Sequence, residues 1–145
     1  MARMIFVNIP VTDLTRSITF YEAVGFQRDD RFCDDDAQMM VLSDTISVML
    51  LTHARFNSFT PKTIADTRTT AQALFCVSAG SRAAVTAMVD QAVAAGGTPD
   101  PTPEQDMDGF MFGRSFEDPD GHIWEVMWMD VAAATAAMAP QAEIA

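Results

Sequence analysis

A strand, a helix and a glycine stop follow one another twice along this chain, and few folds accommodate that order. Arg3 to Val11 is rich in β-branched and apolar residues and reads as a strand, with Met4, Phe6 and Asn8 on one face and Ile5, Val7 and Ile9 on the other. Thr12-Asp13 then offers an N-cap, Leu14, Ile18, Tyr21 and Val24 recur at helical spacing, and Gly25 supplies the stop. The second copy begins with a strand at Ala73–Ser78. Ser81 caps a helix with the stripe Val85, Met88, Val89, Ala92 and Val93, and Gly96-Gly97 ends it. Each copy is followed by two more β segments. They are Met39–Leu42 with Ile46–Leu51 in the first, and Met111–Glu117 with His122–Met129 in the second, joined across Asp118-Pro119-Asp120-Gly121. With Gln27–Asp36 as the place for the first copy's missing strand, the chain reads as α+β, two βαβββ modules spanning about 3–52 and 71–130. A linker over 53–70 carries Phe56 and Phe59 as candidate lid residues. Thr98–Gly109 reads as an irregular Pro- and Asp-rich loop, and the Ala-rich residues 131–145 read as a tail that frays.

Charge and composition exclude several function classes. Lys and Arg total 9 against 20 for Asp and Glu, a formal net charge of −11 that repels phosphate, so nucleic acid and anionic membranes are not the expected partners. No run of about 18 apolar residues is present to span a bilayer, and the first residues lack the apolar stretch of a secretory signal. The two cysteines, Cys33 and Cys76, form no disulfide framework and no C-x-x-C pair, which points to a soluble protein of the reducing cytoplasm.

Two segments carry a family resemblance. Phe6-Val-Asn-Ile-Pro-Val-Thr-Asp-Leu14, with Ser17 and Phe20-Tyr-Glu-Ala-Val-Gly-Phe26, resembles the first module of the vicinal oxygen chelate superfamily. That group contains glyoxalase I, bleomycin-resistance proteins and extradiol dioxygenases such as dihydroxybiphenyl dioxygenase. Ser115-Phe-Glu-Asp-Pro-Asp-Gly-His-Ile-Trp-Glu125 resembles its closing hairpin. The resemblance covers nearly all of residues 3–130. It implies paired βαβββ modules whose mixed sheets curl into a cup holding the ligand, a divalent metal in many members, and a homodimer. Fold does not fix chemistry, so the site decides the function.

Metal-using members hold their ion with four inward side chains, typically His, Glu or Gln. Carried onto this chain, those positions fall on Phe6, Leu50, Leu74 and Glu125. Three of the four have no donor for a divalent cation, so no metal or other cofactor is expected, a divalent metal being the alternative. The cup is then expected to be lined by Met4, Phe6, Asn8, Leu50, Leu74, Cys76, Glu125 and Met127. Cys76 also reads as a small buried core thiol, and His122, by parity with Trp124, as a structural residue at a strand end. Glu125 is the candidate catalytic residue: a carboxylate on an apolar floor is costly unless paired or protonated. Its competing role is an ion pair with Arg114, which a four-residue loop Asp118–Gly121 sets opposite it; a three-residue loop with Gly121 as a bulge sets Ser115 there instead.

Three functions fit this sequence. The first is binding of a small neutral or cationic organic molecule in the cup, without metal. The second is a metal-dependent lyase or dioxygenase, similar to lactoylglutathione lyase. The third is a non-catalytic dimeric module whose cup is filled by its own side chains.

Overall fold

The same local chemistry builds both halves of the molecule. The structure is a computed structural model that describes residues 1–107 and 109–138. The Asp13 carboxylate accepts a hydrogen bond from the Arg16 N–H at 3.1 Å and starts helix α1 (Leu14–Ala23). Ser81 does the same for the Ala84 N–H at 3.0 Å and starts α3 (Arg82–Ala94). Both helices end on a glycine in the left-handed region, Gly25 at φ 104° and Gly96 at φ 100°. The following N–H groups turn back onto the helix, Phe26 to the Tyr21 carbonyl and Gly97 to the Ala92 carbonyl.

Each helix follows the first strand of its module in the chain and precedes the second, the first module's mixed sheet having four strands and the second's five. In the first module β1 (Ile5–Val11), β2 (Gln27–Asp34), β3 (Ala37–Ser43) and β4 (Ile46–Thr52) are arranged β1-β4-β3-β2, with β1 parallel to β4 and the other pairs antiparallel. In the second, β5 (Leu74–Ser78) runs parallel to β9 (Ile123–Met129), which pairs with β8 (Met111–Glu117) and through it with β6 (Thr98–Pro99). The two strand orders are the same, so the duplication read from element order is a duplication of topology.

Three irregular segments of the sequence reading hold regular structure. The linker contains helix α2 (His53–Phe59), started by the Thr52 hydroxyl, which accepts from the Arg55 N–H at 3.3 Å. The Pro- and Asp-rich stretch contains β6 and the three-residue β7 (Gln105–Met107), which pairs with β8. Val131–Met138 forms α4, with Ala134 buried and the Asp130 carboxylate accepting from the Ala133 N–H, so this part of the tail is helical. Residues 139–145 of the expected tail lie outside the described residues.

One core joins the modules. Ile9, Val11, Val48 and Leu50 from the first sheet meet Phe20, Tyr21, Val24 and Phe26, and these pack against Phe116, Trp124 and Val126 of the second. Phe26 and Tyr21 sit edge-on to Trp124, with ring centroids 5.6 and 6.0 Å away. Helices and aromatic residues fill the space between the sheets. The opposite faces of both sheets are left open, and among the described residues no hydrogen-bonded strand pair connects one sheet to the other.

Candidate functional site

The open face of the first sheet is a concave apolar surface. The register sets Asn8 beside Met49, and Met49 beside Met39. Side chains alternate faces along a strand, so Met4, Phe6 and Asn8 rise on the side away from the core. With Phe32, Met39 and Met49 they bound a cavity of about 400 Å³, and Arg31 reaches its rim. The Arg31 guanidinium is held by both oxygens of Asp29 at 2.7 and 3.0 Å, which neutralises most of the charge it brings. Phe6 is 47% exposed, a large area for an aromatic ring.

Leu50 is not part of this surface. It pairs with Ile9 and lies in the core at 0% exposure, so the expected cup position is corrected to its neighbour Met49. The strand Ile46–Thr52 is apolar on both faces and gives no alternation from which to read parity. A one-residue error in placement inverted the face. Phe56 and Phe59 line neither open-face cavity, and Phe59 is 66% exposed on α2.

The open face of the second sheet carries the polar half. Cys76 is the register partner of Glu125, and Ser78 of Met127, so Leu74, Cys76, Glu125 and Met127 share one face. Cys76, Glu125 and Met127 border a narrow cleft of about 100 Å³ together with Thr102, Gln105 and Arg114. Leu74, 54% exposed, stands beyond its edge. Cys76 is therefore not a core thiol. Desolvation against the strand, and secondly the Glu125 carboxylate, push its thiol above the usual range, which keeps it protonated and poorly nucleophilic.

Glu125 has no ion pair with Arg114. The strand register places Ser115 opposite Glu125 and Arg114 opposite Val126. Arg114 is bound instead by Asp100, at 2.8 and 3.1 Å, and holds that carboxyl below its ordinary range. What approaches Glu125 is Thr102, whose Oγ1 lies 3.3 Å from Oε2 and 2.8 Å from Ser115 Oγ. The sequence reading missed Thr102, because the loop that delivers it gives no periodic signal. It also missed Met49, which the β1–β4 register sets beside Asn8, Met39, which the β3–β4 register sets beside Met49, and Phe32 on β2.

Behind both open faces, a buried polar network closes the module junction. Tyr21, 0% exposed, donates to Asp118 Oδ2 at 2.7 Å and accepts from the Trp124 indole N–H at 3.0 Å. Asp118 Oδ1 accepts from the Asp120 and His122 N–H groups. Burial pushes the Tyr21 phenol well above its ordinary value, with Asp118 adding to the rise, and burial likewise raises the Asp118 carboxyl. The His122 ring reaches the Pro10 carbonyl from Nε2 at 2.8 Å, which makes it a tie between modules rather than a site residue.

The donor set of the open faces does not suit a divalent metal. Glu125 is the single carboxylate among Phe6, Met49, Leu74 and Glu125, and the thioether of Met49 is a poor ligand for hard cations. Among the described residues, no three of His, Cys, Asp and Glu lie close enough together to hold one ion.

Comparison with known proteins agrees with this architecture. The family profile of the glyoxalase/bleomycin resistance protein/dioxygenase superfamily matches residues 3–126. No curated protein matches the chain. Among solved structures, a glyoxalase/bleomycin resistance protein/dioxygenase family enzyme from Burkholderia phytofirmans is 19% identical, with a TM-score of 0.71, over 88% of this chain and 99% of that one. A glyoxalase-related enzyme from Fulvimarina pelagi is 18% identical, with a TM-score of 0.72, over 88% of each chain. A fosfomycin resistance protein from Listeria monocytogenes is 12% identical, with a TM-score of 0.65, over 91% of this chain and 97% of that one. At these identities the solved structures speak for the fold, and the profile match carries the assignment: the chain belongs to the glyoxalase/bleomycin resistance protein/dioxygenase superfamily.

Proposed function

We propose that this protein binds a small, largely apolar organic molecule without a divalent metal, and does so in a cup completed by a second copy of the chain. The observation that carries the reading is the apolar cavity on the open face of the first sheet, large enough for a ligand and bounded by Met4, Phe6, Met39 and Met49. An open cavity of that size also weighs against a cup filled by its own side chains. The polar anchors, Glu125 with Thr102, stand on the other sheet of the same chain, in a separate cleft. β1 and β5 are both edge strands with exposed apolar residues, Ile5 at 56% and Leu74 at 54%. Pairing two chains so that the first sheet of one faces the second sheet of the other covers these edges and brings Phe6 and Asn8 opposite Glu125. The net charge of −11 favours a neutral or cationic ligand.

Static light scattering at micromolar concentration should give the mass of a dimer, and Leu74→Asp should give a folded monomer by circular dichroism. A wild-type monomer would end the composite-cup reading. Once a ligand is found by native mass spectrometry, Phe6→Ala should weaken it about tenfold, the worth of one stacked aromatic contact. Glu125→Gln should weaken a hydrogen-bonding ligand while leaving the thermal midpoint in place. Elemental analysis after purification in added zinc, nickel and iron should show well under one equivalent per chain. One equivalent that is lost in Glu125→Gln would transfer the case to the metal-dependent lyase or dioxygenase reading.

A further inference from the structure

Of the chain's 11 methionines, three border the cavity of the first sheet and four more stand on the open face of the second. Side chains alternate along a strand, so Met127 and Met129 rise on the same side of β9 as Glu125. The antiparallel register sets Met111 of β8 directly beside Met129, and Met107 of β7 directly beside Met111. Met107, Met111 and Met129 therefore form a row across three strands. That row is about 10 Å from end to end, too long for three sulfurs to meet on one ion. Met127 closes a tighter figure. It stands two residues from Met129 along β9 and diagonally across from Met111, so Met111, Met127 and Met129 are the corners of a triangle with sides of about 5–8 Å between Cβ atoms. Long unbranched side chains span such distances.

The ground beside the triangle is open. Gly113, two residues after Met111 on the same face of β8, is the register partner of Met127. Within 4 Å, a Cβ there would meet only the Val126 carbonyl oxygen, at an ordinary 3.5 Å, so packing does not demand the glycine, and its consequence is an opening in the face. Met111, Gly113 and Met127 line the cleft of about 100 Å³ that also reaches Glu125. Organic-ligand pockets run to about 300–1,000 Å³, so within one chain this cleft is sized for an ion rather than for an organic molecule. A thioether is a soft, uncharged donor. Three of them suit a soft monovalent cation such as Cu(I), and offer little to zinc, magnesium or calcium, which take imidazole, thiolate or oxygen. Neither histidine lines the cleft. Glu125, two residues before Met127 on the same face, supplies negative charge to compensate a bound cation.

We propose that Met111, Met127 and Met129 bind a soft monovalent metal ion, Cu(I), in a trigonal thioether site on the open face of the second sheet. The site is built within one chain and depends neither on the composite cup nor on its organic ligand. Ligation leaves the sulfurs and the oxidation state of the ion unchanged, and releases no proton, because a thioether carries none.

Cu(I) also binds free thiols, so the test uses the full chain with Cys33→Ser and Cys76→Ser, both cysteines being exposed. Cu(I), kept reduced by ascorbate without oxygen, is titrated against a chromophoric Cu(I) chelator while the methionine methyl resonances are followed. One equivalent per chain should bind, with shifts at the Met111, Met127 and Met129 methyls and none at Met39 or Met49. Ag(I) should reproduce the pattern and zinc should not. Met127→Leu and Met129→Leu, which conserve volume, should each weaken Cu(I) about tenfold or more, and Met88→Leu, on α3, should leave it unchanged. The proposal is overturned by absence of methyl shifts at millimolar Ag(I), by shifts spread equally over the methionines of both sheets, or by binding that survives Met127→Leu and Met129→Leu undiminished.

Discussion

Gly121→Ala is expected to lower stability by about 3 kcal/mol, and Gly25→Ala by only about 1 kcal/mol, although both glycines sit in the left-handed region. Gly121 has φ 88° and Gly25 φ 104°. The difference is what a new methyl group meets. At Gly25 nothing lies within 4 Å, so only the backbone preference is lost. At Gly121 the linker crosses directly over the turn. A Cβ there would lie 2.8 Å from the Thr67 carbonyl carbon, closer still to its oxygen, and 3.0 Å from Arg68 Cα. Those are main-chain atoms that cannot swing aside, and the Thr67 hydroxyl is bonded to Asp120 in the same place. Urea unfolding of both variants reads the difference. Equal losses would mean that the linker is not packed on the turn.

The second large effect lies at alkaline pH. Tyr21 is the single tyrosine of the chain, and its phenol is raised well above the ordinary value by burial. In the unfolded chain it titrates near pH 10, so the folded state holds the proton more tightly. Its contribution is intact below about pH 10, and above that pH folding should lose about 1.4 kcal/mol per pH unit until the folded value is passed. Tyrosinate absorbance and loss of far-ultraviolet circular dichroism should rise together, because the ring ionises only when the network opens. Tyrosinate forming in advance of unfolding would show that Tyr21 is reachable by hydroxide in the folded state. In Tyr21→Phe that alkaline component should vanish, while the neutral-pH stability falls by about 1–3 kcal/mol because Asp118 and the Trp124 indole lose their partner.

The repeat of strand, helix and glycine was readable because each junction rests on local chemistry: an Asp or Ser cap, a spaced apolar stripe, a glycine at positive φ. The same holds for Met4, Phe6 and Asn8, since β1 alternates cleanly near its start. Legibility ended where a side chain's place depends on a distant partner. Leu50 and Met49 differ by one step in a strand with apolar residues on both faces, and the parallel pairing with β1 decides between them. Thr102 reaches Glu125 from a loop whose path is set by the Ser115 hydroxyl, to which the Thr102 N–H donates at 3.1 Å. The turn Asp118–Gly121 read as ordinary turn chemistry. Its two carboxylates in fact bind residues from the first quarter of the chain, a link that no window along the sequence contains.

That link bears on the order in which the chain can mature. The hydroxyl of Tyr21 is answered by Asp118, 97 residues later, and the Thr12 N–H by Asp120, 108 residues later. A nascent chain that has released only the first module therefore holds an aromatic cluster lacking Trp124 and a phenol with no acceptor. Burying it in that state costs what an unpaired polar group costs, so the first module stays incomplete until the last hairpin has left the ribosome. Although the two halves are built on one plan, neither is a free-standing unit, and folding should be a single late event with a contact order higher than either βαβββ module alone would have.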